Sequence, residues 1–457
     1  MTAKVILDLP DELLSHVLTL SVGPLRGYRL RHDGRRGRLV PLASLARVCR
    51  RFNRLATPLL YEGIFVSHVY QCSRRPVEEH TASREWQVMK ANPSTRQFCR
   101  RLEIDAARSD QCDKHTSEAR DLIKWLTNTT TLKLHSWPAT YRDTGSLARL
   151  ALTSMPRLRS LTLTGWKGST LRPPVVREAL AGFGYSLALR SLHLQHIGEH
   201  EGTLEQWAEL TPHALSVTKL TVFEFLQTSK VLSHLIQWVK RLEHLEIHYL
   251  FSADYAGNET YIGWSLGKLQ PMLELQRDSL TCISISHICV EGLAGFDVTS
   301  FPNLRFLSLC YRATGLDIHL VSRLAAPRLN RFRWDLTLQD QQCSEQLGHL
   351  DEPQEKFLRA VAQTLLVELK VPLREILVQF RPEYDHWLFG APWAPEVLPW
   401  DRLDSIQRDY SEHGLAVICS PPGPTEEERF DESKLEYGGT EEYDLPDFEY
   451  DDLAKDK

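Results

Sequence analysis

The chain has 457 residues, 42% of them hydrophobic and 25% charged, with nine cysteines and a formal net charge of −5. That suits a globular protein of two or three domains, or one elongated repeat array with an appendage. No run approaches the roughly 18 apolar residues of a membrane span, the opening stretch lacks a secretory h-region, and the cysteines form no CxxC pair, so reduced thiols and a cytoplasmic and/or nuclear location are expected and no membrane partner is.

The first predicted element is LDLPDELLSHVL, Leu7 to Leu18. Leu13, Leu14, Val17 and Leu18 recur at helical spacing, Pro10 suits a first helical position, and Asp11 and Glu12 place negative charge against the positive end of the dipole. PLRGYRLRHDGRRGRLVP follows, with six arginines among glycines, and residues 1–100 carry 17 Lys/Arg against 8 Asp/Glu. A solvated insertion over about 24–40 is the plain reading, because no aromatic platform or helix-turn-helix accompanies the charge, and no nucleic acid is expected as a partner. The apolar pattern resumes in PLASLARVCRRFNRLATPLLYEGIFV, with Leu42, Leu45, Val48, Cys49, Phe52, Leu55 and Ala56 at steps of three and four. Without the insertion roughly 45 residues remain, too few for a comfortable core, so the unit should lean on a neighbour. It could be a docking module or a helical cap on the next domain.

LPDELLSHVL followed by LASLARVCRRFNRLATPLLY resembles an F-box of the kind common among fungal proteins. Leu9-Pro10, Glu12-Leu13-Leu14, Val17-Leu18, Leu45, Val48-Cys49-Arg50-Arg51 and Phe52 carry the match, with Phe52 where the family often has Trp. The resemblance implies an F-box domain over 1–70. It also implies docking of a Skp-type adaptor, and through it a cullin scaffold, by Leu9, Pro10, Leu13, Leu14, Val17, Leu18, Leu45, Val48, Cys49 and Phe52.

After a linker or capping region at 71–96, repetition begins. LRSLTLTGW (158–166) returns as LRSLHLQHI (189–197), and looser copies share the form apolar-x-x-apolar-x-apolar. Their central apolar positions are 102, 132, 161, 192, 220, 245, 283, 307, 332 and 376, separated by 24 to 44 residues. Between them lie helical stripes such as Val231, Leu232, Leu235, Ile236 and Val239. One strand and one helix cannot enclose a core, but stacked copies can. The expected fold class is therefore α/β: a short helical F-box, then a degenerate leucine-rich-repeat solenoid over 97–400. Its parallel strands should line the concave face and its helices the convex face; a generic α/β domain is the alternative. The tryptophans of 382–400 suggest a C-terminal cap. The extension 401–457 turns acidic from about 420, and residues 421–457 hold 4 Lys/Arg against 14 Asp/Glu, a composition expected to be disordered.

No constellation points to catalysis. His193 and His196 should face opposite ways in a strand; His244 and His248 share a face but lack a third ligand, so no metal and no cofactor are expected. No P-loop, GxSxG or HExxH occurs. The reading is a non-enzymatic substrate receptor of a Skp–cullin–F-box ubiquitin ligase, with an unknown protein target. The alternative is a non-degradative repeat scaffold. Strand register places His193, Thr221, Glu246, Ser284, Ser308 and Arg333 in one column between the core positions, with His248 on the same side, as the target-binding face.

Overall fold

A computed structural model describes residues 9–22, 41–67, 81–105, 112–136, 141–165, 176, 179, 188–197, 215–225, 227–248, 250, 264–286, 288, 292–336, 350–380 and 399–420. The arginine-rich insertion, most of the tryptophan-bearing 382–400 segment and the acidic stretch lie outside them.

The polypeptide builds one sheet whose twelve strands follow chain order, each parallel to its neighbours. They are β1 (Gly63–Ser67), β2 (Arg101–Asp105), β3 (Thr131–Ser136), β4 (Ser160–Gly165), β5 (Ser191–Ile197) and β6 (Lys219–Phe225). Then come β7 (His244–His248), β8 (Cys282–Ser286), β9 (Phe306–Cys310), β10 (Arg331–Leu336), β11 (Glu375–Phe380) and β12 (Ala416–Ser420). Sequential parallel strands need a crossover each time, and crossovers of one hand in one direction keep returning on the same face. The architecture is a solenoid-like repeat, with a helical unit before its first strand.

Register is strict. Ile64, Leu102, Leu132, Leu161, Leu192 and Leu220 are successive partners, and the column continues through Leu245, Ile283, Leu307, Phe332 and Ile376 to Val417. All ten central positions read from the repeats fall in it. A second column two residues on, from Val66 to Cys419, faces the same way. Both columns share one continuous core with the crossover helices, whose stripe Val231, Leu232, Leu235, Ile236 and Val239 is buried as the spacing predicts. The array also outruns its expected limits of 97–400. β1 lies inside the stretch assigned to the F-box, and helix Pro399–Tyr410 leads into β12 inside the presumed extension. Gly63-Ile-Phe-Val and Ala416-Val-Ile-Cys are too short and too lightly leucine-rich to announce themselves as repeats.

A backbone device starts β2 to β11. The Glu62 carbonyl accepts from both Arg100 N–H (2.8 Å) and Arg101 N–H (3.0 Å), and Arg100 O does the same for Thr130 and Thr131 (2.8 and 3.0 Å). The shared acceptor recurs at Thr130, Arg159, Arg190, Thr218, Glu243, Thr281, Arg305 and Asn330. The asparagine that follows the strand in tidy leucine-rich repeats is missing here, and backbone carbonyls link the units in its absence. Side chains help where crossovers lengthen. Gln276, buried after helix Leu266–Glu274, donates to the carbonyls of Ile236 (3.2 Å) and Val239 (2.8 Å). It accepts from Leu242 N–H (3.1 Å) and Ser279 Oγ (3.1 Å). It thus covers the carbonyl of Val239, which follows helix Ser229–Trp238 of the preceding unit, and adds a second donor to Ile236 O.

Gln276→Leu keeps the volume but removes the side-chain partner of Val239 O and Leu242 N–H, while Ile236 O keeps its bond from Val239 N–H. We expect a loss of about 2–4 kcal/mol, read as a lower urea midpoint, since each orphaned group costs about 1–3 kcal/mol.

Candidate functional site

Two surfaces qualify, one on the helical unit and one on the uncovered face of the sheet. The helical unit has the first helix (Asp11–Val22), a helical turn at 41–46 and a second helix (Arg50–Leu60). Asp11 clasps the two helices. Its carboxylate accepts from Arg51 Nε (2.7 Å) and from Arg54, while Arg51 also donates to Leu9 O. The Arg51 hydrogen bond, with the charges of Arg54 and Arg51, holds the Asp11 carboxyl below its usual range against some desolvation. Leu14, Leu18, Leu42, Phe52 and Ala56 form the unit's own interior, separate from the core of the sheet. The second helix rests on the 3-10 turn Pro93–Phe98, as a unit too small to stand alone should.

Within the predicted docking set, Leu14, Leu18 and Phe52 are only 1, 4 and 6% exposed and hold the two helices together. Leu13 (52%), Val17 (43%) and Val48 (63%) do face outward, joined by Leu20 (66%), which sequence reasoning missed. Leu13, Val17 and Leu20 follow i, i+4, i+7, a second apolar stripe beside the inward one. Extending the heptad by one turn would have found Leu20. These four are half of the eight exposed large hydrophobic side chains among the described residues. Pro10 is exposed, while Leu9, Leu45 and Cys49 are half-buried.

On the sheet, the row one residue past the central column runs His193, Thr221, Glu246, Ser284, Ser308, Arg333, strand by strand, as the repeat spacing predicts. Thr221, Ser284 and Ser308 are buried between larger neighbours; His193, Glu246 and Arg333 are half-buried. The next row holds Gln195, Phe223, His248 and Ser286. Neighbouring strands pair their charges. Glu246 accepts from Lys219 Nζ (2.6 Å) and Thr221 Oγ1 (3.0 Å), and Glu103 bonds His135 Nε2 (2.8 Å) with Lys133 at 3.4 Å. Arg331 meets Glu375 at 2.6 Å; Arg333 lies 3.3 Å from Asp335 and also bonds Gln379. His248 Nδ1 meets Ser286 Oγ at 2.8 Å. Sequence reasoning named Glu246, Thr221 and Arg333 but missed Lys219 and Gln379, which lie 27 and 46 residues from the side chains they bond.

His193 and His196 do not join in one site, but regular alternation fails here. His196 and Glu224 have left-handed backbone (φ 56° and 51°) at the same level of β5 and β6, and they form an ion pair. His196 thereby comes within 6.3 Å of the Phe223 ring, and Phe223 lies 6.2 Å from His248. Burial shifts the titrations. Desolvation, aided by Lys219 and opposed by Glu246, lowers His193 to about 4. Burial also lowers His248. Glu246 and Glu103 feel desolvation pushing up, but the Lys219 and His135 hydrogen bonds and adjacent cations leave both carboxyls below their usual range. Among the described residues no cluster of His, Cys, Asp and Glu could hold a metal ion.

Residues 6–67 match a family model described as F-box-like. The chain contains an F-box-like domain. No curated protein matches the chain. The matched range ends on the last residue of β1, so the F-box-like domain and the sheet share a strand. Domains of this family are generally non-catalytic modules that dock Skp-type adaptors. Among the described residues no helix is long and apolar enough to cross a membrane.

Burial lowers the His193 imidazole from the ordinary histidine range to about 4. Its contribution is fully present above about pH 6.5 and is lost as pH falls towards 4, where the unfolded chain binds the proton first. Between pH 7 and 5 the urea midpoint of the native protein should fall by more than that of His193→Gln, a difference on the order of 1 kcal/mol. Parallel decline would mean that His193 does not couple to stability.

Proposed function

We propose that the protein is the substrate receptor of a Skp–cullin–F-box ubiquitin ligase. The observation that carries this reading is an F-box-like domain whose interior is complete without the outward residues Leu13, Val17, Leu20 and Val48. Large apolar side chains in that number on so small a unit mark a surface meant to be covered. A Skp-type adaptor is the occupant that the family supplies, and a cullin scaffold follows from it. Leu9, Pro10, Leu45 and Cys49 would flank the contact. The reaction itself belongs to other subunits; the receptor raises the local concentration of a target lysine near charged ubiquitin.

The target would bind the uncovered face of a degenerate leucine-rich-repeat array. His193, Glu246, His248 and Arg333 supply its accessible polar contacts, over a floor of Thr221, Ser284 and Ser308. Such a face is preorganised, because its side chains are already held by cross-strand bonds. Work in the cytoplasm and/or nucleus fits this role.

Leu13→Asp with Val17→Asp places charge in the proposed contact without entering the interior. Capture of a Skp-type adaptor should weaken by at least about a hundredfold while circular dichroism stays native. Undiminished capture by the folded double variant overturns the ligase reading. On the sheet, Glu246→Lys would set two cations side by side, so Glu246→Gln with His248→Ala is the cleaner probe. Adaptor capture should be unchanged, and proximity labelling in cells should lose partners; an identical partner set places the target elsewhere.

A further inference from the structure

The edge where the strands begin carries a charge pattern that the uncovered face does not. On that face, cations pair with carboxylates: Lys133 with Glu103, Lys219 with Glu246, Arg331 with Glu375, Arg333 with Asp335. Around the strand starts from β2 to β6 the local sequence carries cations alone. Arg100, Arg157, Arg159 and Arg190 are exposed, and segments 97–101, 127–131, 156–160, 188–191 and 216–219 contain no Asp or Glu, although Lys219 at the start of β6 pairs with Glu246 of β7. No ion pair joins Arg157, Arg159 or Arg190 to a carboxylate among the described residues. From β7 onward the same edge mixes signs, with Glu243, Asp278 and Glu375 beside Arg305 and Arg374.

The shared-carbonyl ladder lines these arginines up. Arg100 O, Thr130 O, Arg159 O and Arg190 O are consecutive acceptors on rungs about 4.8 Å apart, so Arg159 and Arg190 are neighbours and Arg100 lies two rungs from Arg159, across Thr130. Thr130, Ser160 and Thr218 intersperse hydroxyls. Thr130 Oγ1 and Thr218 Oγ1 are taken by the carbonyls of Arg100 (3.0 Å) and Arg190 (3.5 Å). The result is a cationic strip whose segments 127–131, 156–160, 188–191 and 216–219 hold no aromatic side chain on which a base could stack, which suits an extended acidic peptide better than a nucleic acid.

The chain itself carries such a peptide. Residues 421–457 hold 14 Asp/Glu against 4 Lys/Arg and follow directly on β12. From β12 to β2 is about ten strand spacings, roughly 50 Å, and the segment leaves the strand-end edge and must cross about one strand length, roughly 17 Å, to the strand starts; it extends to roughly 120 Å, so it reaches the whole strip. Tethering gives it a local concentration in the millimolar range. We propose that the acidic segment 421–457 docks in cis along the strand-start edge of β2 to β6, against Arg100, Arg157, Arg159 and Arg190. An acidic partner segment gains that edge only by displacing it. The inference stands apart from the ligase reading, since it uses neither the adaptor surface nor the open face.

The test uses the full chain with Tyr443→p-benzoylphenylalanine, photo-crosslinked and mapped by mass spectrometry. Crosslinks should fall in 97–101, 156–160 and 188–191, with a yield independent of protein concentration. Raising salt to about 0.5 M should cut that yield roughly tenfold, because the strip is exposed and screening is strong. Arg157→Glu, Arg159→Glu and Arg190→Glu together should do the same in protein with native circular dichroism, and the matching Arg→Lys triple should retain it. Should the reversed-charge variant fail to fold, the salt series on the unaltered edge still decides. Crosslinks that map to the arginine-rich stretch 26–38, that rise with concentration as contact with a second copy would, or that ignore salt overturn the proposal.

Discussion

The starts of β2 to β11 each depend on a carbonyl of the preceding unit that two successive N–H groups of the next unit share. That arrangement sets the level at which a strand begins from its neighbour alone. Register is then inherited along the chain, and intervals of 24 to 44 residues between core positions do no harm. Extra length enters the crossovers, where closing a longer loop costs little more than closing a short one. The two apolar columns follow, because a one-residue slip in any strand would turn its core side chains to water.

Crossover helices among the described residues share the core with the two apolar columns on one face of the sheet, and the polar side chains of the other face bond one another within the sheet. They do so across strands. Lys219, Glu246 and Thr221 form one bonded group, Glu103, Lys133 and His135 another. Burial lowers the pKa of His193 and His248 against the pull of Glu246. At the strand-start edge, Arg157, Arg159 and Arg190 form no ion pair with a carboxylate among the described residues.

The F-box-like domain joins this structure at β1, which belongs both to the matched range and to the sheet. A domain that shares a strand with its neighbour is held at a defined place and not on a tether. Its clasp of Asp11 with Arg51 and Arg54 and its separate interior leave the outward stripe of the first helix free to meet a partner.

The sequence by itself determined the apolar positions of β2 to β11, the helical stripes between them and the grouping of His193, Glu246 and Arg333. Those follow from local periodicity, which any short window displays. It also marked Leu13, Val17 and Val48 as apolar surface, though it could not separate them from Leu14, Leu18 and Phe52, because a helix's two apolar stripes look alike until its partner is in place. Only the tertiary structure decided the rest: β1 and β12, whose strands are recognisable through the neighbour that pairs with them; the partners of Glu246 and Arg333, brought close by stacking and not by spacing; and the left-handed turns at His196 and Glu224, which no alternation rule anticipates. Each of these depends on contacts between units far apart in the chain, and periodicity carries no record of them.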